Sequence, residues 1–297
     1  MPALKLGDDR PLVSVVTPAY NEATRGFFTD TLSSVSQQNY EPIEHVVVDD
    51  GSTDDTASLV EEFDHSHDLQ LLQQENLGMT RAVNNGLKCT EGRVVVWLNA
   101  DDVLPKRTTV ERIVAAFQRD PSPDVVYGYH AFLDPDGTID RVKVPHPRTT
   151  QRRLLLSNYG VMVFLDGEMF RSLELNPEYE HLSDYELYLR AIEHEASFAH
   201  VNDLLYGHRV HGERKTALAS EEMDAEGKRL RSAYGADEIR WFELQQRLIG
   251  LQIDALQAAG LRTMVEIARH PDRFVDGVQI DSLNRGLRRQ LRACTPG

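Results

Sequence analysis

An apolar run, Val94-Val95-Val96-Trp97-Leu98, ends abruptly at Asn99-Ala100-Asp101-Asp102. β-Branched and aromatic residues dominate it, so it reads as a buried strand that delivers two carboxylates to the edge of a sheet. In open α/β sheets the ligand sits at that edge, beyond the carboxyl ends of the strands. A carboxylate pair there can hold a divalent cation through hard oxygen ligands, and the cation can hold a diphosphate. The same pair also suits a turn before Pro105 and the cap of a following helix. The residues alone leave both readings open.

The pattern occurs twice. Val46-Val47-Val48 runs into Asp49-Asp50-Gly51-Ser52-Thr53-Asp54-Asp55-Thr56. Gly51 permits a tight turn, Ser52 or Thr53 can cap the next helix, and acids favour a helix N-terminus. Capping accounts for some of these four acids but hardly for all. A strand-end carboxylate that accepts from a base or a ribose hydroxyl is a recurrent device in nucleotide sites.

Around these tips the first half alternates strand and helix. Leu12 to Thr17, Ile43 to Val48, Leu69 to Gln73 and Arg93 to Leu98 have strand character, with helical spacing over Thr29 to Gln38, up to about Phe63, and over Thr80 to Cys89. Such alternation points to right-handed βαβ units and a parallel sheet. After Pro121 the pattern changes to a hairpin, Asp124 to Leu133 and Thr138 to Val144, around the turn Asp134-Pro135-Asp136-Gly137. Pro145, Pro147 and Thr149 open an irregular stretch, and Gln151 to Leu156 predicts a short helix. From Glu221 onward the spacing is nearly all helical, with Trp241, Leu244, Leu248, Leu251 and Ala255 on one face. A boundary is expected near residue 216.

Charge narrows the partners. The formal charge of -15 argues against nucleic acid, which needs a basic footprint. Residues 216–297 carry 12 basic and 12 acidic side chains, so the whole excess lies in residues 1–215. A domain that acidic needs a metal or local cations to bind an anionic donor. No run approaches a membrane span and no basic-then-apolar leader stands at the N-terminus. Cys89 and Cys294 lie in no metal-binding or redox spacing, so the expected location is a reducing cytoplasm.

With Val13-Ser14-Val15-Val16-Thr17-Pro18-Ala19-Tyr20-Asn21-Glu22 added at the N-terminus, the ordered motifs resemble the inverting nucleotide-sugar glycosyltransferases of family 2, from about Pro11 to Thr216. The resemblance implies an α/β fold of GT-A type: a Rossmann-like mixed sheet flanked by helices, with a C-terminal helical extension. Residues 1–215 would form the glycosyltransferase domain, its nucleotide-sugar half about 11–120 and its acceptor half about 121–215, and residues 216–297 a helical region. The implied nucleoside-binding residues are Thr17, Ala19, Tyr20 as a ring to stack on the base, Glu22 with Asn21 in the same loop, and Asp50. Arg81 and Asn84 match the helix beside the diphosphate, which Asn76-Leu77-Gly78 leads into.

The resemblance makes Asn99 to Asp102 the acidic metal motif, with an amide where many members carry the first acid. Asn99 keeps an acceptor oxygen but loses a charge, which lowers metal affinity. Asp101 then faces ribose or metal, Asp102 is the foremost expected ligand of Mn2+ or Mg2+, and His211 completes the shell, with Arg209, Arg214 or Lys215 neutralising phosphate. The implied general base is Asp184, in Glu180-His181-Leu182-Ser183-Asp184-Tyr185-Glu186. Ser183 and Glu186 also have capping-box spacing, and Ser183 stands where many members have Glu.

The reading is a metal-dependent inverting enzyme that moves one sugar from a nucleoside diphosphate to a hydroxyl acceptor in glycan or polysaccharide synthesis. UDP-sugars are favoured by the family and not by the residues. Processive relatives carry Gln-x-x-Arg-Trp, and here Asp237 precedes Arg240-Trp241 in place of the Gln. A basic amphipathic C-terminal helix, Arg285, Arg288, Arg289 and Arg292 among leucines, leaves open a membrane-surface contact through 281–297, a lipid-linked acceptor or a homodimer. The alternative is a nucleotide-sugar-binding protein that has lost catalysis, suggested by Asn99 and Ser183.

Overall fold

The computed structural model describes residues 10–119, 121–145, 163–212, 220–234 and 275. Within them the four expected parallel strands form: β1 Val13–Ala19, β2 Ile43–Asp49, β3 Asp68–Gln73 and β4 Val94–Trp97. β1, β2 and β4 are buried along their whole length; β4 is a continuous apolar run, while β1 and β2 also bury the polar Ser14, Thr17, Glu44, His45 and Asp49. The helices between and after them are α1 Phe28–Ser36, α2 Thr56–Glu62, α3 Met79–Leu87 and α4 Thr109–Phe117.

The strand order is β3-β2-β1-β4, continued past β4 by the strands Val163–Asp166, Val125–Leu133 and Ile139–Lys143. Growth runs outward from β1 to β3, then restarts on the other side with β4, so the sheet switches direction between β1 and β4. That switch point sets the loop after β1 beside the loop after β4 and opens a crevice between them. Two sheet faces are covered. Val13, Val15, Val94 and Val96 pack with Val35 of α1 and with Val110, Ile113 and Phe117 of α4, while Val16, Val95 and Trp97 pack under Val83 and Leu87 of α3. Gly86 lets α3 lie close: a Cβ there would come within 2.6 Å of Val16 Cγ1 and 2.9 Å of Val48 Cγ2.

The second half follows the expected hairpin, β5 Val125–Leu133 and β6 Ile139–Lys143, and adds two strands that the sequence pattern did not announce. β7 Val163–Asp166 pairs antiparallel with both β4 and β5, so it joins the two halves of the sheet. β8 Phe198–Arg209 runs parallel to β5, and Val103, just past the tip of β4, bridges to its Gly207. The remaining helices are α5 Gly167–Leu173, α6 Ser183–Glu193 and α7 Ser220–Ala233.

α6 begins at Ser183, but not through the capping box. Leu182 precedes it without a side-chain cap, and Glu186 instead grips Arg190, its two oxygens accepting from Nε at 2.9 Å and Nη2 at 2.8 Å. The backbone N–H groups of Glu180, His181 and Leu182 are taken by Glu226 of α7 at 3.0, 2.9 and 2.9 Å. Leu230 of α7 enters the same core cluster as Leu182 and Tyr185, so this helix packs onto the sheet's helical layer. Among the described residues no helix is long and apolar enough to cross a membrane. The expected helix at 151–156, the face around Trp241 and the segment 281–297 lie outside the described residues.

Candidate active site

The crevice is walled on one side by the loop after β1. Asn21 there has a left-handed φ of 53° and its Oδ1 accepts from Thr53 N at 2.8 Å, which ties this loop to the one after β2. Tyr20 stands 40% exposed beside it, an unusual amount for an aromatic ring and the right disposition to meet a flat ligand. Thr17 and Ala19, by contrast, are buried in the sheet. Thr17 Oγ1 pairs with His45 Nε2 at 2.9 Å, so its hydroxyl is engaged within the sheet.

Asp50 is buried, and both its oxygens are engaged. Oδ1 accepts from Gln74 Nε2 and Leu77 N, each at 2.8 Å, and Oδ2 from Gly78 N at 2.9 Å. It therefore organises the turn into α3. Gly51, at φ 74°, makes that proximity feasible, since a Cβ there would lie 2.7 Å from Asn76 N. On α3, Arg81 is exposed and bonds only weakly back to Leu77 O at 3.4 Å, which leaves its guanidinium at the surface. Asn84 is turned away from the crevice: its amide exchanges two hydrogen bonds with the backbone of Leu175, at 2.8 and 2.7 Å.

The tip of β4 supplies the opposite wall, and its two aspartates part company. Asp102 is 0% exposed and saturated. Its Oδ1 accepts from Arg209 N at 2.9 Å, and its Oδ2 accepts from Tyr206 OH at 2.7 Å and Asn99 Nδ2 at 3.1 Å. His208 Nδ1 closes the shell at 3.3 Å from Oδ1. Burial alone would raise this carboxyl, but His208, Tyr206 and the Arg209 N–H overcome it and hold Asp102 down at about 2. The lone pairs of Asp102, expected from the sequence to be a direct metal ligand, are engaged here by the protein's own donors. The physical reason is β8, which lies across the tip of β4 and brings Tyr206, His208 and Arg209 onto one carboxylate.

Asp101 is the aspartate that faces the crevice. Its Oδ2 pairs with His211 Nε2 at 3.0 Å, and the His211 ring rests on Phe27 with centroids 4.9 Å apart. Asn99 Oδ1, buried nearby, has no hydrogen-bond partner. Glu22 lies close to both: it is ion-paired with Arg25 at 2.8 Å, while its buried Oε2 is unpartnered. Burial pushes Glu22 from its ordinary 4.5 up to about 7, opposed by Arg25 and reinforced by Asp101. Among the described residues no three His, Cys, Asp or Glu side chains gather to hold a metal ion by themselves. Asp101 and His211, paired at 3.0 Å, are groups that could hold a divalent cation together with the oxygens of a diphosphate.

Arg209 is not free to meet phosphate. It is 1% exposed, bonded to Asp30 Oδ2 at 2.8 Å, Pro135 O at 3.0 Å and Asp101 O at 3.2 Å, with its guanidinium 4.9 Å over the Phe27 ring. Arg214 and Lys215 lie outside the described residues.

Asp184, in the first turn of α6, is only partly open to solvent and accepts from Tyr185 N at 2.7 Å. Burial raises its pKa, while backbone N–H groups, His208 and Lys143 pull against that rise. His208, bonded to Asp102 at the β4 tip, is thus also one of the groups that act electrostatically on Asp184. Lys143 of β6, lowered to about 8 mainly by burial and then by Arg141, is in turn raised by the charge of Asp184. Tyr206 and Lys143 were missed from sequence. Tyr206 and His208 are two apart on one strand and so share a face, a signal that recognising β8 would have supplied.

The family model described as Glycosyl transferase family 2 matches residues 14–175. The chondroitin synthase of Escherichia coli is 29% identical over 210 residues, which are 68% of this chain and 29% of that one. An uncharacterised glycosyltransferase of Rickettsia prowazekii is 26% identical over 72% of this chain and 69% of its own. Among solved structures, a mannosyltransferase from Pyrobaculum calidifontis in complex with GDP-Man and Mn2+ superposes with a TM-score of 0.58 at 20% identity, over 88% of this chain and 76% of that one. TarS of S. aureus in complex with UDP-GlcNAc superposes with a TM-score of 0.55 at 22% identity, over 75% of this chain and 66% of that one. The chain spans less than a third of the chondroitin synthase, and the likeness to the solved structures is one of fold: a mixed α/β sheet of GT-A type.

Proposed function

This chain belongs to glycosyl transferase family 2, and we propose that it moves a single sugar from a nucleoside diphosphate to a hydroxyl acceptor with inversion at the anomeric carbon. The observation that carries the reading is the carboxylate–imidazole pair Asp101–His211 past the tip of β4, beside an Asp102–His208 contact whose imidazole also acts electrostatically on the partly open Asp184. A raised pKa suits a general base, because it strengthens the carboxylate's pull on a hydroxyl proton.

The donor's base would stack on Tyr20 and its diphosphate lie toward Asp101, His211 and Arg81. Asp101 and His211 would hold a divalent cation, which supplies charge neutralisation to the departing diphosphate. The acceptor hydroxyl gives its proton to Asp184 as its oxygen bonds to the anomeric carbon, and the sugar–phosphate bond breaks with its electron pair passing to the diphosphate. Asp102 serves the fold instead, locking β8 to the tip of β4 so that His208 and His211 arrive in place.

The relatives that support a nucleotide-sugar donor are the solved neighbours with UDP-GlcNAc and GDP-Man, and Mn2+ in one of them supports the cation. A panel of UDP-glucose, UDP-GlcNAc and GDP-Man, assayed for nucleoside diphosphate release with and without manganese, tests the reading. Turnover with one of them that Asp184→Asn abolishes, at unchanged donor binding, is the expected result. Ligand-induced thermal stabilisation with no release from any donor would instead identify a binding protein.

A further inference from the structure

The segment that delivers Asp184 hangs from the donor half of the molecule at two points on one helix. Asn84 of α3 holds the backbone of Leu175 by a two-bond exchange at 2.8 and 2.7 Å. Glu180 then reaches the N-terminus of the same helix, its Oε1 accepting from Met79 N at 2.9 Å. The two preceding N–H groups, Leu77 and Gly78, belong to Asp50. Three successive amides at one helix end are thus divided between a carboxylate from the nucleotide side and one from the base side.

Asp50 leaves the Met79 N–H without an acceptor, and Glu180 supplies it from the base side although a second carboxylate so near adds like-charge repulsion. The sequence has made room for it, since Gly78 sits at φ 90° and a Cβ there would press within 3.0 Å of Glu180 Oε1. From the other side, Glu226 of α7 fixes the main chain of Glu180 itself through its N–H at 3.0 Å. Glu180 is therefore held at its backbone by α7 and at its carboxylate by α3, four residues before Asp184.

We propose that Glu180 is a positioning residue, whose carboxylate on α3 sets the distance between Asp184 and the donor subsite that Asp50 organises. The inference rests on Asp184 being the general base. Its physical basis is the steep geometric demand of proton transfer, where a displacement of about 1 Å costs on the order of a hundredfold in rate.

The experiment compares Glu180→Ala and Glu180→Gln with wild type and with Asp184→Asn. It uses whichever of UDP-glucose, UDP-GlcNAc or GDP-Man wild type turns over, with UDP or GDP binding as the donor-site control. Amide hydrogen exchange is followed at Met79, Thr80 and residues 183–187. Glu180→Ala is expected to lower kcat by about ten- to a hundredfold with KM within about threefold, and to speed exchange at those amides while β1, β2 and β4 stay protected. Glu180→Gln keeps an acceptor oxygen and should recover most of kcat. Unchanged kcat in Glu180→Ala beside a dead Asp184→Asn overturns the proposal, and so does a rise confined to KM or an equal loss in Gln and Ala. A fully active Asp184→Asn defeats the base assignment instead. Hydrogen exchange still reports, independently of activity, whether Glu180 ties the two segments; unchanged exchange in Glu180→Ala sinks the tie.

Discussion

The tips of β2 and β4 begin alike, an apolar strand ending in two aspartates, and finish differently. At β2, Asp49 accepts from Ser52 N at 3.0 Å and Asp50 from Gln74, Leu77 N and Gly78 N, so both acids bind neutral amide donors of their own neighbourhood. At β4, Asp102 is clamped by Tyr206, His208 and the Arg209 N–H from more than 100 positions away, and Asp101 turns to His211. In each pair the second aspartate is a latch on a later segment. Only at β4 does a distant strand add imidazoles, and that addition converts a turn-forming pair into a candidate metal end.

Removing the latch at β4 should therefore have the largest effect. Asp102→Ala leaves a buried tyrosine hydroxyl, an imidazole and an amide N–H facing a void, and should cost about 3–5 kcal/mol; urea unfolding that shows less than about 1 kcal/mol would mean that β8 is not held there. Glu22 gives the next test, through pH. It binds its proton more tightly folded than unfolded, so the stabilisation is full below pH 4.5 and fades as pH rises from 4.5 to about 7. That shift corresponds to on the order of 3 kcal/mol. Unfolding midpoints taken between pH 4.5 and 8 in chelator should fall for wild type and stay flatter for Glu22→Gln.

Asp101→Asn separates the two roles at β4. It should reduce manganese-dependent turnover about a hundredfold, about 2.7 kcal/mol, while unfolding stays within about 0.5 kcal/mol of wild type; equal damage to both would erase the distinction from Asp102. The smallest change is expected at β2, where Asp50→Ala releases three N–H donors at the entrance to α3. About 2 kcal/mol of stability and weakened nucleotide binding, read by thermal shift with UDP or GDP, would show the β2 latch to be the weaker of the two.

The parallel half of the sheet was legible because strands buried on both faces are rich in apolar residues, and Val15-Val16, Val46 to Val48 and Val94 to Trp97 supply them, even though Ser14, Thr17, Glu44, His45 and Asp49 are buried in the same strands. The hairpin of β5 and β6 was legible from its turn residues. β7 was not, since four residues give no periodicity. Nor was β8, whose His200, Asn202 and Asp203 break an apolar reading and whose register on β5 shifts twice. Those two strands decide the site. Arg209 looked like a phosphate ligand because its sequence neighbourhood is basic, yet Asp30 and two carbonyl oxygens consume its donors. The capping box at Ser183 and Glu186 failed for a similar reason: Arg190, one turn on, competes for Glu186 with a bidentate charged bond.

The amino-acid order by itself determined the parallel layer, the two acid-tipped strands and an aspartate in the first turn of α6, because each is a matter of local periodicity and neighbouring residues. Only the tertiary structure decided which aspartate faces the crevice. Asp101 and Asp102 are adjacent in the chain and chemically identical, and what separates them is a strand more than 100 positions on that satisfies one and leaves the other to His211. Hydrogen-bond saturation of a carboxylate is a property of everything that surrounds it, so no stretch of sequence around residue 102 can carry it.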